Sequence, residues 1–353
     1  MRNFLFLIIL SSLIISCDNW LGDQGMPISR GESGEIILVF DSARWSGEPG
    51  KELRITFRES VEGLPREEPL FDLRHVVPAD FKGLLKQAKN LVLIIPLNDR
   101  NPEGQKMRNL FTQKSLDSLQ QNPDIFMIPR SNLFASGQQV LFLILHDDQS
   151  FEENVIQDWE HIRYFFNRVE DKRTYQKLYK APEEKMISNK LQSDYGYSLK
   201  VPYGFRIAIS DSNFVWLRLP GQEIDKNIFI AFKDYTDVNA FKNEEIIKWR
   251  DEICHEHIYG NPENPESYLL TEMLDPPIFS EVNFNGKYGK KVLGRWKTNT
   301  VSMGGPFVSY TLVDEATNRI YYIEGFIYSP GVDQRELMRE MNVILKTFQT
   351  GPD

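Results

Sequence analysis

Three runs in the first half of the chain are apolar almost without interruption: Glu35–Phe40 (EIILVF), Asn90–Ile95 (NLVLII) and Gln139–His146 (QVLFLILH). Strands buried on both faces, as in a parallel sheet covered by helices, have this pattern. Between them lie Pro49–Glu59 and Pro78–Ala88, each opened by a proline that suits the first turn of a helix. Phe71–Val76 and Ile125–Ile128 are weaker strand candidates. From about Phe151 to Tyr179 the residues Phe151, Val155, Trp159, Ile162, Phe166 and Val169 recur three or four apart, predicting one long amphipathic helix. Strands alternating with helices predict a layered α/β domain.

The pattern changes after the charged, proline-bearing stretch Ala181-Pro182-Glu183-Glu184-Lys185. Tyr197–Val201, Phe205–Ile209, Phe214–Leu219 and Ile228–Phe232 read as successive strands, followed by a helix over Asn243–Ile258. Ser267–Met273, Lys290–Thr298, Phe307–Asp314 and Arg319–Tyr328 read as further strands, the last two forming a hairpin around Glu315–Asn318. A helix over Glu336–Phe348 closes the chain, with Leu337, Met341, Ile344, Leu345 and Phe348 on one face. Strands grouped around two helices predict an α+β sandwich of sheet and helices. The expected organisation is therefore an α/β domain over 35–181 and an α+β domain over 188–350.

Residues 1–34 follow other rules. Arg2, the apolar stretches Phe4–Leu10 and Leu13–Ile15, and the small Ser16 before Cys17 have the layout of a secretory signal over 1–16. The apolar run is about half of the ~20 residues a spanning helix needs. Ile14-Ile15-Ser16-Cys17 looks like a lipobox, the signal by which bacteria attach a diacylglyceryl group to a cysteine and cleave before it. Each buried CH₂ contributes about 0.8 kcal/mol, and two or more acyl chains hold a protein stably. A lipid on Cys17 thus predicts a cell-envelope protein anchored in a bacterial membrane, inner or outer, with 17–34 as a flexible tether. An ordinary signal peptide containing a cysteine, or a buried N-terminal strand, is the competing reading.

Composition adds boundaries rather than a function. The 353 residues are 41% hydrophobic and 26% charged, as in ordinary globular chains. A net charge of −9 without a polybasic patch disfavours nucleic-acid binding. With Cys17 acylated, Cys254 has no cysteine to pair with.

Candidate chemistry is sparse, and no cofactor is implied: G-x-G-x-x-G, GxxxxGK[ST], GxSxG, HExxH and CxxC are all missing from the sequence. Cys254-His255-Glu256-His257 resembles a metal cluster, yet residues two apart on a helix point to nearly opposite sides. Cys254 and His257 could share an ion, but two ligands do not close a zinc site. Asp41 and His146-Asp147 follow predicted strands, and ligands of open α/β sheets bind at that edge. A histidine flanked by carboxylates could act as a base there. The competing reading is that Asp148 or Ser150 merely caps the next helix. In Gly294–Tyr310, Gly304-Gly305-Pro306 would allow a sharp path between strands, with Trp296, Met303, Phe307 and Tyr310 lining a groove or filling a core.

GLPREEPLFDLRHVVPADFKGLLKQAKNLVLI, SLKVPYGFRIAISDSNFVWLR, the GRW…MGGPFVSY segment and YYIEGFIYSP together resemble a family of Bacteroidetes lipoproteins, the domain of unknown function forty-eight thirty-seven. The resemblance spans nearly the whole chain after the leader. It implies the lipoprotein setting and supports lipidation at Cys17, and it brings no activity or catalytic residue. The second half is also similar to the PsbP/Mog1 sandwich, a fold analogy that does not determine function. The expected function is a lipid-anchored, non-enzymatic module that binds an envelope protein or glycan. The alternative is an envelope hydrolase with its site near Asp41 and His146.

Overall fold

The computed structural model describes residues 25–99, 101–261, 264–300 and 303–351, so the leader and Cys17 lie outside the described residues. The apolar runs of the first half become β1 (Glu35–Val39), β3 (Asn90–Pro96) and β5 (Gln139–Leu145). With β2 (Asp72–Val76) and β4 (Met127–Ser131) they form a five-stranded sheet in the order β2-β1-β3-β5-β4. β1, β3 and β5 run parallel, and β4 is antiparallel to β5. Every residue of β3 is buried, which accounts for its unbroken apolar run.

Short α1 (Ser42–Ser46) and α2 (Glu48–Arg58) follow β1. The helix expected over Pro78–Ala88 is instead a 3₁₀ turn, Gly83–Gln87. Gly83 has φ +57, which an α-helix cannot pass through. Helices α3 (Pro102–Arg108) and α4 (Gln113–Gln121) were not legible from periodicity; each begins at a side-chain cap, Asn101 and Thr112 respectively.

α5 (Asp148–Leu178) is the long predicted helix. Phe151, Val155, Ile162 and Phe166 are buried as expected, but Trp159 is 39% exposed and lies under Arg163. The buried stripe continues through Glu170 and Thr174 rather than Val169, and Glu170 accepts a hydrogen bond from Arg173 at 2.6 Å. Phe166 packs edge-on against Phe57 and Phe71.

Beyond α5, the stretch read as a link leads into α6 (Lys185–Tyr195), which ends at Gly196 with φ +76. After β6 (Tyr197–Ser198) come β7 (Arg206–Ser210), β8 (Phe214–Leu219), β9 (Asp225–Asp234) and α7 (Asn243–His257). Next are β10 (Tyr259–Asn261), β11 (Asn264–Thr271), β12 (Ile278–Phe284), β13 (Lys287–Thr298), β14 (Gly304–Asp314) and β15 (Arg319–Tyr328). α8 (Arg335–Leu345) and β16 (Gln349–Thr350) finish the chain. A second sheet runs β10-β11-β13-β14-β15-β9-β8-β7, with β12 also on β13. The expected α+β sandwich is observed: one apolar cluster joins α7 to one sheet face through Ile246, Ile253, Phe229 and Tyr322. The other joins α8 to the opposite face through Met341, Ile344, Tyr321 and Ile323.

The compact units do not follow a single break near residue 181. One comprises Ile36–Ser42 and Arg74–Asp147 with the segment up to Glu32. The other comprises Ser33–Glu35, Ala43–Leu73 and everything from Asp148 onward. α5 lies in the second unit because it packs against α2 and α8, and ion pairs span the latter contact: Arg339 and Lys346 both hold Asp171, and Lys177 holds Glu340. No helix among the described residues is long and apolar enough to cross a membrane.

Candidate functional site

Asp41 and His146 stand at the carboxyl ends of β1 and β5, as their apolar runs imply. They do not form an acid–base pair. β3 lies between the two strands, so the ends are two strand spacings, roughly 10 Å, apart. The His146 Nε2 is buried without a hydrogen-bond partner among the described residues, so neither Asp41 nor Asp147 holds it. Asp148 is the first residue of α5 and accepts from Arg44 Nε at 2.6 Å.

The tetrad 254–257 ends α7, whose buried face is Ile246, Arg250, Ile253 and Cys254. Cys254 is fully buried in the apolar cluster, and that burial pushes its thiol pKa far up, away from the thiolate a metal needs. His255 meets Tyr268 edge-on at 4.4 Å, while His257 stacks on Phe214 at 4.1 Å. The two imidazoles are spent on different ring partners. Among the described residues, the acids Glu48, Glu52 and Glu152 come close enough to share an ion, but Lys51 already pairs with Glu48 at 2.7 Å.

The groove expected at Gly294–Tyr310 is core. Trp296, Phe307 and Tyr310 are each at most 4% exposed, and Trp296 Nε1 donates to the Ile327 carbonyl at 3.1 Å. Gly304 and Gly305 make no turn; they begin β14. A Cβ at Gly305 would lie 2.2 Å from the Ile327 carbonyl oxygen and 3.0 Å from Trp296 Nε1. The glycine admits a buried tryptophan.

No sequence motif announces the fully buried ion pair of this half. Arg250 and Glu324, both 0% exposed, form two hydrogen bonds of 2.8 Å, Nε to Oε2 and Nη2 to Oε1. Tyr322 donates to Glu324 Oε2 at 2.5 Å, and Arg250 donates to Thr271 Oγ1 at 3.1 Å. Phe307 covers the guanidinium at 4.2 Å. Burial alone would lower the guanidinium's pKa, but Glu324, by charge and hydrogen bonds, together with the nearby Cys254 and Tyr322, raises it above the ordinary value and keeps it protonated. A signal existed: Arg250 interrupts an apolar helical stripe, and Glu324 interrupts the apolar strand YYIEGF.

This pair seats α7 so that its last turn walls a cavity of about 830 Å³. His255, Glu256, His257, Tyr259, Glu266 and Tyr268 give it a polar and aromatic lining. Asn299 braces one wall, accepting from Tyr268 N at 3.2 Å and donating to the Glu266 carbonyl at 3.0 Å. Ser267, 1% exposed, also lines the cavity, and its Oγ has no hydrogen-bond partner among the described residues. Such a surface can stack flat groups on its rings and bond hydroxyls or amides.

Comparisons bear on identity. No curated protein matches the chain. Among solved structures it is similar to the Saccharomyces cerevisiae Ran-binding protein Mog1p, with 8% identity and a TM-score of 0.29 over 44% of this chain and 90% of that one. It is also similar to the human StarD13 (DLC2) lipid transfer and protein localization domain, with 12% identity and a TM-score of 0.21 over 45% and 95%. The α+β assignment rests on the strands and helices themselves. Residues 184–347 match the family described as Domain of unknown function (DUF4837), and residues 29–179 match Domain of unknown function (DUF8532). The segment Gly63–Ile94, read above as part of the first family, falls in the second match. Two stretches of the chain thus match two different families of unknown function, residues 29–179 one and residues 184–347 the other.

Proposed function

We propose that this chain is a non-enzymatic binding module of a bacterial cell envelope, held at the membrane by a lipid on Cys17. The cavity at the end of α7 takes its partner, an envelope glycan or a protein loop rich in hydroxyls and amides. The observation that carries the reading is the lining: two tyrosines, two histidines already engaged with rings, and two glutamates around about 830 Å³. The anchor is supported by the spacing of Arg2, the apolar stretch and Ser16-Cys17, and the Bacteroidetes setting by the resemblance described above.

The test is photo-crosslinking in intact cells from a probe at Tyr259, beside metabolic labelling with an alkynyl fatty acid. One recurrent adduct, protein or glycan, that disappears when Tyr268→Ala is introduced into a folded chain is the expected result. The same adduct from Tyr268→Ala would remove the cavity from the proposal. Fatty-acid label that persists in Cys17→Ser would remove the anchor.

A further inference from the structure

A second cavity, of about 280 Å³, lies on the opposite sheet face, beneath α8. It is lined by segments from both family matches: Val61–Leu64, Leu70, Asn167 and Asp171 from the match over 29–179, and β13, β14 and α8 from the match over 184–347. Leu64, Leu293, Val308 and Met338 make an apolar wall, and Lys291, Arg335, Arg339 and Lys346 bring four cations to the same space. The covering loop is fitted to its place. Gly63 has φ +78, and a Cβ there would meet Leu293 Cβ at 3.1 Å, so the loop lies down on β13 only with glycine. Its far end is held by Glu68, which accepts from the backbone N–H groups of Gln334 and Arg335 at 2.7 and 2.8 Å.

Three of the cations are engaged. Lys346 holds Asp171 at 2.9 Å, Arg339 holds Asp171 and Asn167 at 3.1 Å each, and Arg335 holds Asp72 at 2.7 Å. Lys291 Nζ makes no hydrogen bond or ion pair with a described residue. It sits two positions from Leu293 on the strand face that α8 covers, half-buried, with Lys346 repelling it and Asp171 and Glu62 attracting it. Burial holds its amine below the ordinary lysine value. The Lys291 ammonium, partly desolvated and without a hydrogen-bonded partner, thus stands above an apolar wall, with Glu62 and Asp171 as the carboxylates of the same lining. At ~30 Å³ per water the space holds roughly nine waters, the room of a molecule of about ten non-hydrogen atoms.

The geometry points to a second binding site in this cavity, for a small amphiphilic carboxylate whose anion meets Lys291 and whose apolar body lies on Leu64, Leu293, Val308 and Met338. This site is independent of the one beside α7, and either can fail alone.

Calorimetric titration of the full chain in a neutral detergent with hydrocinnamate tests it, with phenylpropylamine and inorganic phosphate as matched probes. Hydrocinnamate binds saturably, phenylpropylamine does not, phosphate binds at least tenfold more weakly, and Lys291→Met weakens hydrocinnamate about tenfold or more. Equal binding of the amine or of phosphate, or undiminished binding by folded Lys291→Met, overturns the proposal. Footprinting of the unaltered chain decides the matter without a variant. Hydrocinnamate should slow acetylation of Lys291 several-fold relative to the exposed Lys190, and equal rates with and without it overturn the site.

Discussion

Glu324→Gln is the sharpest test of how this fold is held. The substitution keeps the shape of the side chain and removes its charge, leaving the Arg250 guanidinium at 0% exposure with Asp251 at 3.2 Å as the remaining anion. Two charges about 4 Å apart at an effective dielectric of ~20 attract by about 4 kcal/mol. Removing one member of a buried pair costs about 3–5 kcal/mol in mutational series. The two figures agree, so a loss of about 4 kcal/mol is expected, a large part of a stability of ~5–15 kcal/mol. For a unit of this size each kcal/mol moves the midpoint by roughly 2–4 °C, so Glu324→Gln should melt roughly 8–16 °C lower. Calorimetry with urea titration reads this in the transition that carries the second sheet. The double variant Arg250→Met/Glu324→Leu removes both charges and should recover most of the loss, because apolar replacement of a buried pair is often neutral. A Glu324→Gln loss below about 1 kcal/mol, or a double variant as unstable as the two singles summed, would refute the reasoning.

Glu68→Ala removes the carboxylate that satisfies the first two N–H groups of α8, and hydrogen bonds to a charged group are worth about 1.5–3 kcal/mol each at most. A loss of about 2 kcal/mol in urea titration is expected, and an unchanged midpoint would show that water replaces the cap. Cys254 should resist iodoacetamide at pH 8 in the folded chain and react on unfolding, since burial keeps it a thiol; labelling under native conditions checks this by mass. Lys291→Met should stabilise the chain at neutral pH. Burial places the folded-state pKa of Lys291 below its unfolded value, so its penalty is fully present below the folded value and vanishes as pH rises past the unfolded one. Urea midpoints at pH 7 and at a pH about one unit above the ordinary lysine value should therefore differ between the two chains mainly at the lower pH.

Local pattern determined much of this protein. The unbroken apolar runs became β1, β3 and β5 because strands covered on both faces carry no polar alternation. The hairpin at Glu315–Asn318 closes at Asn318 with φ +51, and turn residues announce such positions. β12 was legible in the same way and missed: Asn285-Gly286, with φ +52 and +87, is the turn that pairs Phe284 with Lys287.

Long-range contact decided the rest. α5 continues the first half in sequence, yet it belongs to the second unit, packed on α2 and on α8, where Arg339 and Lys346, more than one hundred and sixty residues away, hold Asp171. Arg250 and Glu324 each break an apolar pattern in sequence, but that they pair with one another is decided only when α7 is laid on β15 and water is excluded between them. Lys291 reads as one more solvated lysine in KYGKKVLGRW, and only the covering of its strand face by α8 and the Gly63 loop turns it into an unpaired cation in a cavity. Periodicity reports which face a side chain takes. Burial and charge at a given position depend on which distant segment comes to lie over that face, and that is settled by the packed tertiary structure.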